Sequence, residues 1–403
     1  MAERREADGM ATAHINPKVI ELALRRLNVG LEHLATKALP LEKVQALASG
    51  RHFPTEAQAE YLANKLRIPY LVLFLDDTPD LDKIPLADYR TVSGEPIAKP
   101  SVDLVDTINA ALLRQDWFRE YQILSRAAPL PFVGRFTMSD PVKRVADDMR
   151  SILGITPELR HQCSGWTQFL RSCMRRAEDA GILVMRNGVV EHSTGRRLLV
   201  REFRGFAVSD PLAPLVFIND SDARAAQIFT LAHELAHIWI GQSGISNLPL
   251  DKRKVRLAGV ERYCNQVAAE LLVPEHAARQ LWKSGLSLDS NVEQWTHNFR
   301  VSKLMALVRS HELGLLDRAG YRVEYDKEWK RIKEQEEARK KREAQKKKQK
   351  GDFWATLRLR TGDLFNRALA DGVRRDMATY PDASSLLGVS LWTVEEFMRR
   401  ESA

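Results

Sequence analysis

Two histidines and a glutamate stand close together in one short motif, His233-Glu234-Leu235-Ala236-His237. In a helix, residues four apart share one face, so both imidazoles can bind the same metal ion. Glu234 follows the first histidine and can reach a water molecule beside that ion without being a ligand. Zinc lowers the pKa of such a water to about 7 and polarises a carbonyl, and a carboxylate then passes the proton to the leaving amine. The motif therefore predicts a zinc-dependent hydrolase with Glu234 as the general base.

Chance explains this motif poorly. With 10 His and 53 acidic residues in 403, a His-acid-x-x-His pattern is expected about 0.03 times in a random chain. The alternative interpretation is a buried structural helix whose histidines hydrogen-bond to neighbouring groups. We favour the metal site because apolar residues around the motif already supply a face for the core. These residues are Phe229, Leu231, Leu235, Ile238 and Ile240.

A catalytic zinc ion needs a third protein ligand and an open position. The next predicted helix, over 259–272, offers Glu261, Cys264 and Glu270. Glu261 and Glu270 are nine residues apart, about 900° of helical rotation, so they lie on opposite faces and only one can meet the metal. Asn265 shares the face of Glu261, where its amide oxygen can accept a hydrogen bond from a ligating imidazole. We therefore predict Glu261 as the ligand. Cys264 is the rival, and its simpler interpretation is a small buried core residue.

The elements around the motif predict a small sheet followed by two helices. Ser221 begins a helix that runs to about Ile240, where Gly241 is placed to end it. The following helix ends before Pro274. Short β-prone runs separated by turn residues precede both helices. These runs begin at Gly181, Leu198, Gly205 and Leu215.

Composition indicates a globular protein and excludes fibrous, membrane-spanning and disulfide-stapled classes. The 403 residues are 44% hydrophobic and 28% charged, which predicts two or three domains. No apolar run approaches the roughly 20 residues of a membrane helix, and the charged start lacks the apolar stretch of a secretory signal. Three cysteines are too few, and odd in number, for a disulfide framework. We therefore expect a cytoplasmic protein with reduced thiols and no membrane contact.

The basic charge is concentrated in one segment. The formal net charge is +8, and the stretch from Asp326 to Lys350 holds 12 Lys/Arg against 6 Asp/Glu, which leaves only +2 for the rest of the chain. This stretch lacks Gly and Pro and has Glu-to-Lys pairs at helical spacing, such as Glu336 to Lys340. It predicts an exposed helical spacer, and a dedicated phosphate-binding arm is the alternative.

Two long stretches resemble the ImmA/IrrE-type zinc metallo-endopeptidases. They are Phe229-Thr-Leu-Ala-His-Glu-Leu-Ala-His-Ile-Trp-Ile-Gly and Glu261-Arg-Tyr-Cys-Asn-Gln-Val-Ala-Ala-Glu-Leu-Leu-Val-Pro, preceded by Glu202-Phe-Arg-Gly-Phe-Ala and Ala213-Pro-Leu-Val-Phe-Ile-Asn. The resemblance implies a gluzincin-like arrangement and cleavage of repressor proteins. It also implies zinc on His233, His237 and Glu261 and general base catalysis by Glu234. Asn265 stands where many zincins of related layout keep an acid. The oxyanion-stabilising residue stays open among Tyr263, His297 and His311.

The N-terminal segment resembles a Xre/Cro-type helix-turn-helix module. Val19-Ile-Glu-Leu-Ala-Leu-Arg-Arg corresponds to its first helix, and Leu31-Glu-His-Leu-Ala-Thr-Lys-Ala-Leu pairs with Leu41-Glu-Lys-Val-Gln-Ala-Leu-Ala-Ser-Gly. In such modules the second helix of the pair enters the major groove. The resemblance then implies base contacts from Lys43 and Gln45 and phosphate contacts from Arg51 and His52. A protein-docking or repressor-recognition module on the same fold is the alternative.

These patterns predict an α+β, mostly helical chain: an N-terminal helix-turn-helix bundle, a gluzincin-like peptidase domain with a small β-sheet, and a helical C-terminal extension. That extension resembles the one in long family members, and packing or assembly is its expected role. The expected boundaries are 1–80 for the helix-turn-helix module, 81–128 for a connector and long helix, 129–325 for the peptidase domain, 326–350 for the basic helical spacer and 351–403 for the extension.

The leading prediction is a cytoplasmic zinc-dependent endopeptidase, with Zn²⁺ as cofactor, fused to a DNA-binding module. Its expected partners are a repressor-like protein substrate and double-stranded DNA, and a homodimer stays open. The alternative is a DNA-binding transcriptional regulator or antitoxin-like protein whose zinc domain senses a signal. A further alternative makes the basic segment a sensor of single-stranded DNA, although Trp329 is its only aromatic residue and strand binding normally adds stacking platforms.

Overall fold

The computed structural model describes residues 13–84, 86–88, 100–246, 259–345 and 352–401. Over these residues the chain is mostly helical with a small sheet, which agrees with the predicted α+β class. None of the described helices is both long enough and apolar enough to cross a bilayer. The chain forms two compact units, one of Met1–Pro85 with Pro100–Val105 and one of Leu86–Lys99 with Asp106–Ala403.

The first unit is a small helical bundle with one apolar core. Its helices are α1 (Pro17–Leu27), α2 (Leu41–Ala48) and α3 (Glu56–Leu66), with short 3-10 helices at Leu31–Leu34 and Tyr70–Phe74. Side-chain caps begin two of them, because Asn16 accepts from the Lys18 N–H and Thr55 forms a capping box with Gln58. The core includes Ile20, Leu34, Leu47, Leu62 and Leu73.

The first helix expected for the helix-turn-helix pair is much shorter than the resemblance implies. Only Leu31–Leu34 is helical there, as one 3-10 turn. The next residues close a turn instead, since the Thr36 N–H donates to the Leu39 carbonyl at 2.9 Å and the Leu39 N–H donates to the Thr36 hydroxyl at 3.0 Å. A threonine side chain that bonds the local backbone competes with helix formation. The second helix of the pair is present as α2.

The second unit contains the other helices, and α4 contributes residues to both units. They are α4 (Val102–Leu124), α5 (Val142–Leu153), α6 (Pro157–Gln162), α7 (Trp166–Asp179), α8 (Arg224–Trp239), α9 (Gly259–Leu272), α10 (Glu275–Leu281), α11 (Leu288–Phe299), α12 (Lys303–Glu312), α13 (Arg318–Gln345), α14 (Phe353–Thr361), α15 (Asp363–Arg374), α16 (Tyr380–Leu387) and α17 (Leu391–Arg400).

In the described part of this unit, the sheet has five short strands in the order β1-β7-β5-β6-β2. Strand β5 is antiparallel to both of its neighbours, whereas β2 runs parallel to β6 and β1 runs parallel to β7. A separate hairpin pairs β3 with β4. The strands are β1 (Ala87–Asp88), β2 (Leu183–Asn187), β3 (Val189–Val190), β4 (Ser193–Arg197), β5 (Gly205–Val208), β6 (Leu215–Asn219) and β7 (Gly244–Ser246).

One predicted strand is wrong. The run beginning at Leu198 is not a strand, and the hairpin of β3 and β4 precedes it. Strand β4 reads Ser-Thr-Gly-Arg-Arg and faces solvent along most of its length, so it carries no apolar alternation to reveal it. Leu198 is buried as a core residue instead.

Helix α8 is buried all round because it packs between the sheet and other helices. Strands β5 and β6 contact one side of it, and α5, α7 and α9 cover the others. Trp239 at its end stacks on Phe132 with 4.4 Å between ring centroids, and its indole N–H donates to Asp148 at 2.9 Å. This packing holds the whole His233-to-His237 motif away from solvent.

The basic segment predicted at 326–350 is not a separate spacer at its start. Helix α13 begins earlier, at Arg318, and its first turns bury Tyr321 and Tyr325 against Leu304 and Val308 of α12. Ile332 still packs partly against this cluster. The charged sequence from Asp326 therefore continues a packed helix.

Helices α14 to α17 dock on the same unit, in line with the packing role expected for the extension. The Glu178 carboxylate of α7 accepts from the Leu364 N–H at the start of α15 at 3.1 Å. The buried Arg114 of α4 donates to the Leu386 carbonyl at 2.8 Å. Buried polar bonds of this kind fix the extension against the sheet-bearing part of the unit.

Candidate active site

Helix α8 places His233, Glu234 and His237 on its inner side, where all three are fully buried. The helix approaches β5 closely because Gly205 has no side chain. A Cβ atom there would lie 2.9 Å from Glu234 Oε1 and 2.8 Å from the Phe217 carbonyl oxygen. Since such contacts are too short for real Cβ atoms, a glycine is required at this point. Gly205 thus fixes how near the Glu234 carboxylate lies to the sheet.

His233, His237 and Glu261 form one compact cluster. Their potential ligand atoms all lie within 4.8 Å of one another. The two Nε2 atoms of the histidines are 3.1 Å apart, His237 Nε2 is 3.1 Å from Glu261 Oε1, and His233 Nε2 is 3.3 Å from Glu261 Oε2. Helix α9 supplies the glutamate from its first turn.

These separations fit a tetrahedral zinc ion. Ligand atoms at about 2.0–2.1 Å from a tetrahedral ion are about 3.3–3.4 Å from each other, close to the distances in the cluster. Two imidazoles with one carboxylate are also a donor set that catalytic zinc accepts. The residues present therefore fit the metal that the motif predicts.

Asn265 lies behind His233 in the position expected for a supporting partner. Its Oδ1 atom is 3.1 Å from His233 Nδ1, so with Nε2 facing the cluster the Nδ1–H donates to the amide. Such a bond fixes the tautomer and the ring orientation of a ligating histidine. Asn265 and Glu261 reach the same region because they are four residues apart on α9.

The protonation of the cluster suits metal binding. Burial works against ionisation of Glu261, but the charge and hydrogen bonds of His233 and His237 outweigh it and lower its pKa to about 2. Burial also lowers the pKa of His237, although the hydrogen bond with Glu261 opposes that shift. An ionised carboxylate and a neutral imidazole are the forms that coordinate a cation.

Glu234 stands beside the cluster, and neither of its carboxylate oxygens has a hydrogen-bond partner among the described residues. Burial, and then the nearby charge of Glu261, raise its pKa well above 4.5, and the Ser246 hydroxyl close by opposes this shift. A buried carboxylate with unmet hydrogen-bonding capacity is rare and indicates a missing ion, water or substrate group. The raised pKa favours the protonated form of Glu234 more than in an exposed carboxyl group, which suits a residue that takes up a proton during a reaction.

Comparison with known families bears on this site. Residues 177–337 match the family model of the IrrE N-terminal-like domain. This part of the chain is a metallopeptidase-like domain. The match runs from the end of α7 into α13 and so contains every residue of the cluster. A search among curated proteins gave no match to the chain.

Ser246 is a further residue of this site, and the sequence patterns did not predict it. Its buried hydroxyl lies 3.3 Å from His233 Nε2 and donates to Glu261 Oε1 at 3.4 Å. It ends β7, which pairs with β5 in the register Gly205 to Ser246. No helical spacing connects this serine to the motif, so only the strand pairing could have revealed it.

Other candidate residues of the metallopeptidase-like domain lie outside the cluster. Glu270 accepts from the Glu275 N–H at 3.3 Å and forms an ion pair with Arg309. Cys264 is buried beside the cluster, and burial raises its thiol pKa well above 9.0. Tyr263 donates to the Asp140 carbonyl at 2.7 Å.

The other two candidates for stabilising the oxyanion, His311 and His297, also lie outside the cluster. His311 stacks on Tyr321 with 4.6 Å between ring centroids, and its Nδ1 lies 3.0 Å from the Leu316 carbonyl oxygen. His297 is exposed on α11. None of Tyr263, His297 and His311 is among the cluster's hydrogen-bond partners in the described part of the chain.

The four residues predicted to contact DNA lie on the first unit. Lys43 and Gln45 are exposed on α2, and Arg51 and His52 are exposed just after it. The opposite side of α2 buries Val44 and Leu47 in the core. Arg51 Nε donates to the Ser49 hydroxyl at 2.9 Å. The helix therefore presents Lys43 and Gln45 to solvent.

Proposed function

We propose that this chain is a zinc-dependent endopeptidase that cleaves a repressor-like regulatory protein, and that its N-terminal module binds double-stranded DNA. The observation that carries the peptidase is the pairing of two features in one buried place. The two histidine Nε2 atoms and the two Glu261 carboxylate oxygens lie at separations close to those of a zinc site. Beside them stands Glu234, a carboxylate with no partner among the described residues.

Each residue has a definite chemical part in this proposal. His233, His237 and Glu261 hold the ion, and Asn265 orients the first histidine. Bound zinc supplies Lewis acidity, which polarises a carbonyl and makes water acidic near neutral pH. Glu234 accepts the proton of the attacking water and delivers it to the leaving amine nitrogen. The surrounding apolar core strengthens these charge interactions because it excludes bulk water.

The proposed DNA module is supported by the exposure of its predicted contact residues and by the resemblance of its sequence. Helix α2 turns Lys43 and Gln45 to solvent from a rigid bundle, as a major-groove helix must. Coupling the two activities would let the peptidase act on a repressor bound at its operator.

The peptidase is tested by the Glu234→Gln variant. Purified protein is incubated with repressors encoded beside its gene, cleavage is followed by mass spectrometry, and zinc is measured per chain. The proposal predicts about one zinc per chain in both proteins and cleavage by the wild type alone. The exposed Glu275→Gln variant on α10 serves as the control and should cleave like the wild type. Undiminished cleavage by Glu234→Gln contradicts the mechanism.

One observation favours a second candidate, a regulator in which the zinc domain senses a signal. The Ser246 hydroxyl lies within 3.4 Å of two potential ligand atoms, His233 Nε2 and Glu261 Oε1, and could serve as a fourth protein group at the site. A site closed by a fourth protein group is typical of structural zinc. This candidate predicts specific operator binding with steep salt dependence and no cleavage. A gel-shift experiment without sequence preference at low and moderate salt counts against it.

A further inference from the structure

Strand β7 joins the candidate active site to the edge of the sheet. Its last residue, Ser246, contacts His233 and Glu261 through its hydroxyl. One side of β7 is paired antiparallel to β5. The other side faces away from β5 and is the second edge of this strand.

That second edge is covered by a short piece of the same chain. Strand β1 pairs parallel to β7, with Ala87 opposite Gly244 and Asp88 opposite Ile245. Residues Gly244, Ile245 and Ser246 are all buried. The covering piece comes from the segment that joins the first helical bundle to α4 in sequence.

An exposed strand edge beside a peptidase site is a ready binding surface for an extended peptide. The unpaired N–H and C=O groups of an edge strand bind an added strand through main-chain hydrogen bonds. A peptide in this position would run past Ser246 toward the cluster of His233, His237 and Glu261. In this protein, those backbone groups of β7 are already used by Ala87 and Asp88.

We propose that residues 86–88 act as an internal competitor, so that an extended substrate peptide pairs with β7 only after β1 has left. This inference rests on the proposed peptidase function. The competitor is suited to reversible displacement because its pairing with β7 within the described residues spans Ala87 and Asp88, and because the side chain of Ala87 is exposed. The fitting partner is therefore an extended peptide segment, whatever its side chains.

The test uses the full-length zinc-loaded protein with both strand residues changed to proline, Ala87→Pro with Asp88→Pro. Proline has no N–H to donate and does not fit a paired strand. The matched control, Ala87→Ser with Asp88→Asn, keeps both N–H groups. Two probes are titrated by calorimetry: acetohydroxamic acid, which needs only the metal, and a tripeptide hydroxamate, which also needs the strand edge.

The proposal predicts that the proline variant binds the tripeptide hydroxamate more tightly than the wild type and the control do. If the uncovered edge is populated to about one tenth in the wild type, the gain in affinity is about tenfold. Acetohydroxamic acid should bind all three proteins equally. Equal or weaker binding of the tripeptide hydroxamate by the proline variant, with acetohydroxamic acid still bound, overturns the proposal.

A second measurement tests the cover of β7 by β1 even if the proposed peptidase function is wrong. Hydrogen exchange of the β7 amides is compared in metal-free protein, where no hydrolase chemistry is involved. Faster exchange at residues 244–246 in the proline variant supports the cover by β1, and unchanged exchange overturns it. If acetohydroxamic acid binds none of the proteins, the proposed metal site fails, and this exchange result alone decides whether β1 covers β7.

Discussion

The Nε2 atoms of His233 and His237 lie 3.1 Å apart inside a fully buried pocket of side chains. Two ring nitrogens at this distance need a proton or a metal ion between them, because their lone pairs would otherwise repel each other. The Glu261 carboxylate reaches both nitrogens at 3.1 and 3.3 Å, which adds negative charge at the same point. A shared cation is the simplest group that satisfies all three side chains.

Asn265 should set how tightly that cation is held. Asn265→Ala removes the acceptor of the His233 Nδ1–H and should weaken zinc binding about 10–100-fold. Asn265→Asp keeps an oxygen at that place and should bind zinc at least as tightly as the wild type. Competition against a fluorescent zinc chelator measures both. An unchanged affinity in Asn265→Ala would mean that the ring is oriented by other contacts.

Gly205→Ala tests the close approach of α8 to β5. The added Cβ meets a backbone oxygen at 2.8 Å as well as Glu234, so we expect a loss of about 1–3 kcal/mol in the free energy of unfolding and reduced cleavage. Gly195→Ala in β4 is the matched control, because no described atom lies within 4 Å of its new Cβ. Urea unfolding compares the two. Equal stability of both variants contradicts the predicted clash.

Glu178 should make stability depend on pH independently of the metal site. Burial raises its pKa from 4.5 to about 7, so the folded state holds the proton more tightly than the unfolded state. Its contribution is therefore fully favourable below about pH 4.5 and is lost as the pH rises through about 7. Glu178→Gln keeps an acceptor for the Leu364 N–H and cannot ionise.

This variant should match the wild type at pH 4 and exceed its stability at pH 8 by about 1–3 kcal/mol. Urea unfolding at the two pH values is the measurement. The exposed Glu120→Gln variant on α4 should show no such difference. A Glu178→Gln protein that is no more stable at pH 8 would contradict the shift.

The DNA module is tested by two variants with different expected effects. Arg51→Ala, a phosphate contact in the proposal, should weaken binding to all duplexes alike and reduce the salt slope by about 1. Gln45→Ala should instead relax the sequence preference, since Gln45 is proposed to face bases. Duplexes selected from a random library serve as probes, with Lys65→Ala on α3 as the control. Equal affinity of all variants for every duplex would favour a protein-docking module.

Sequence spacing anticipated the relationships that lie within helices. The helical period alone separates Glu261 from Glu270, and in the structure the first lies beside the histidines while the second pairs with Arg309. The same helical spacing puts Asn265 on the face of Glu261, and in the structure it lies next to His233. Local periodicity carries this information because a helix fixes the direction of each side chain.

The features that the sequence did not predict depend on contacts between distant segments. Within the described residues, strands β1 and β7 span two and three residues, too few to show an alternation, so pairing is what reveals them. Ser246 joins the cluster only through that pairing. The first helix of the expected helix-turn-helix pair is short for a local reason, because Thr36 and Leu39 hydrogen-bond to each other across a turn.

Anomalous diffraction from crystals of the zinc-loaded protein, recorded at the zinc absorption edge, tests the central claim most directly. The account predicts one peak at about 2.0–2.2 Å from His233 Nε2, His237 Nε2 and a Glu261 oxygen. It also predicts that Glu234 lies outside the bonding distance of the ion. The absence of a peak there, or a peak bonded to the Cys264 sulfur in place of Glu261, would contradict it.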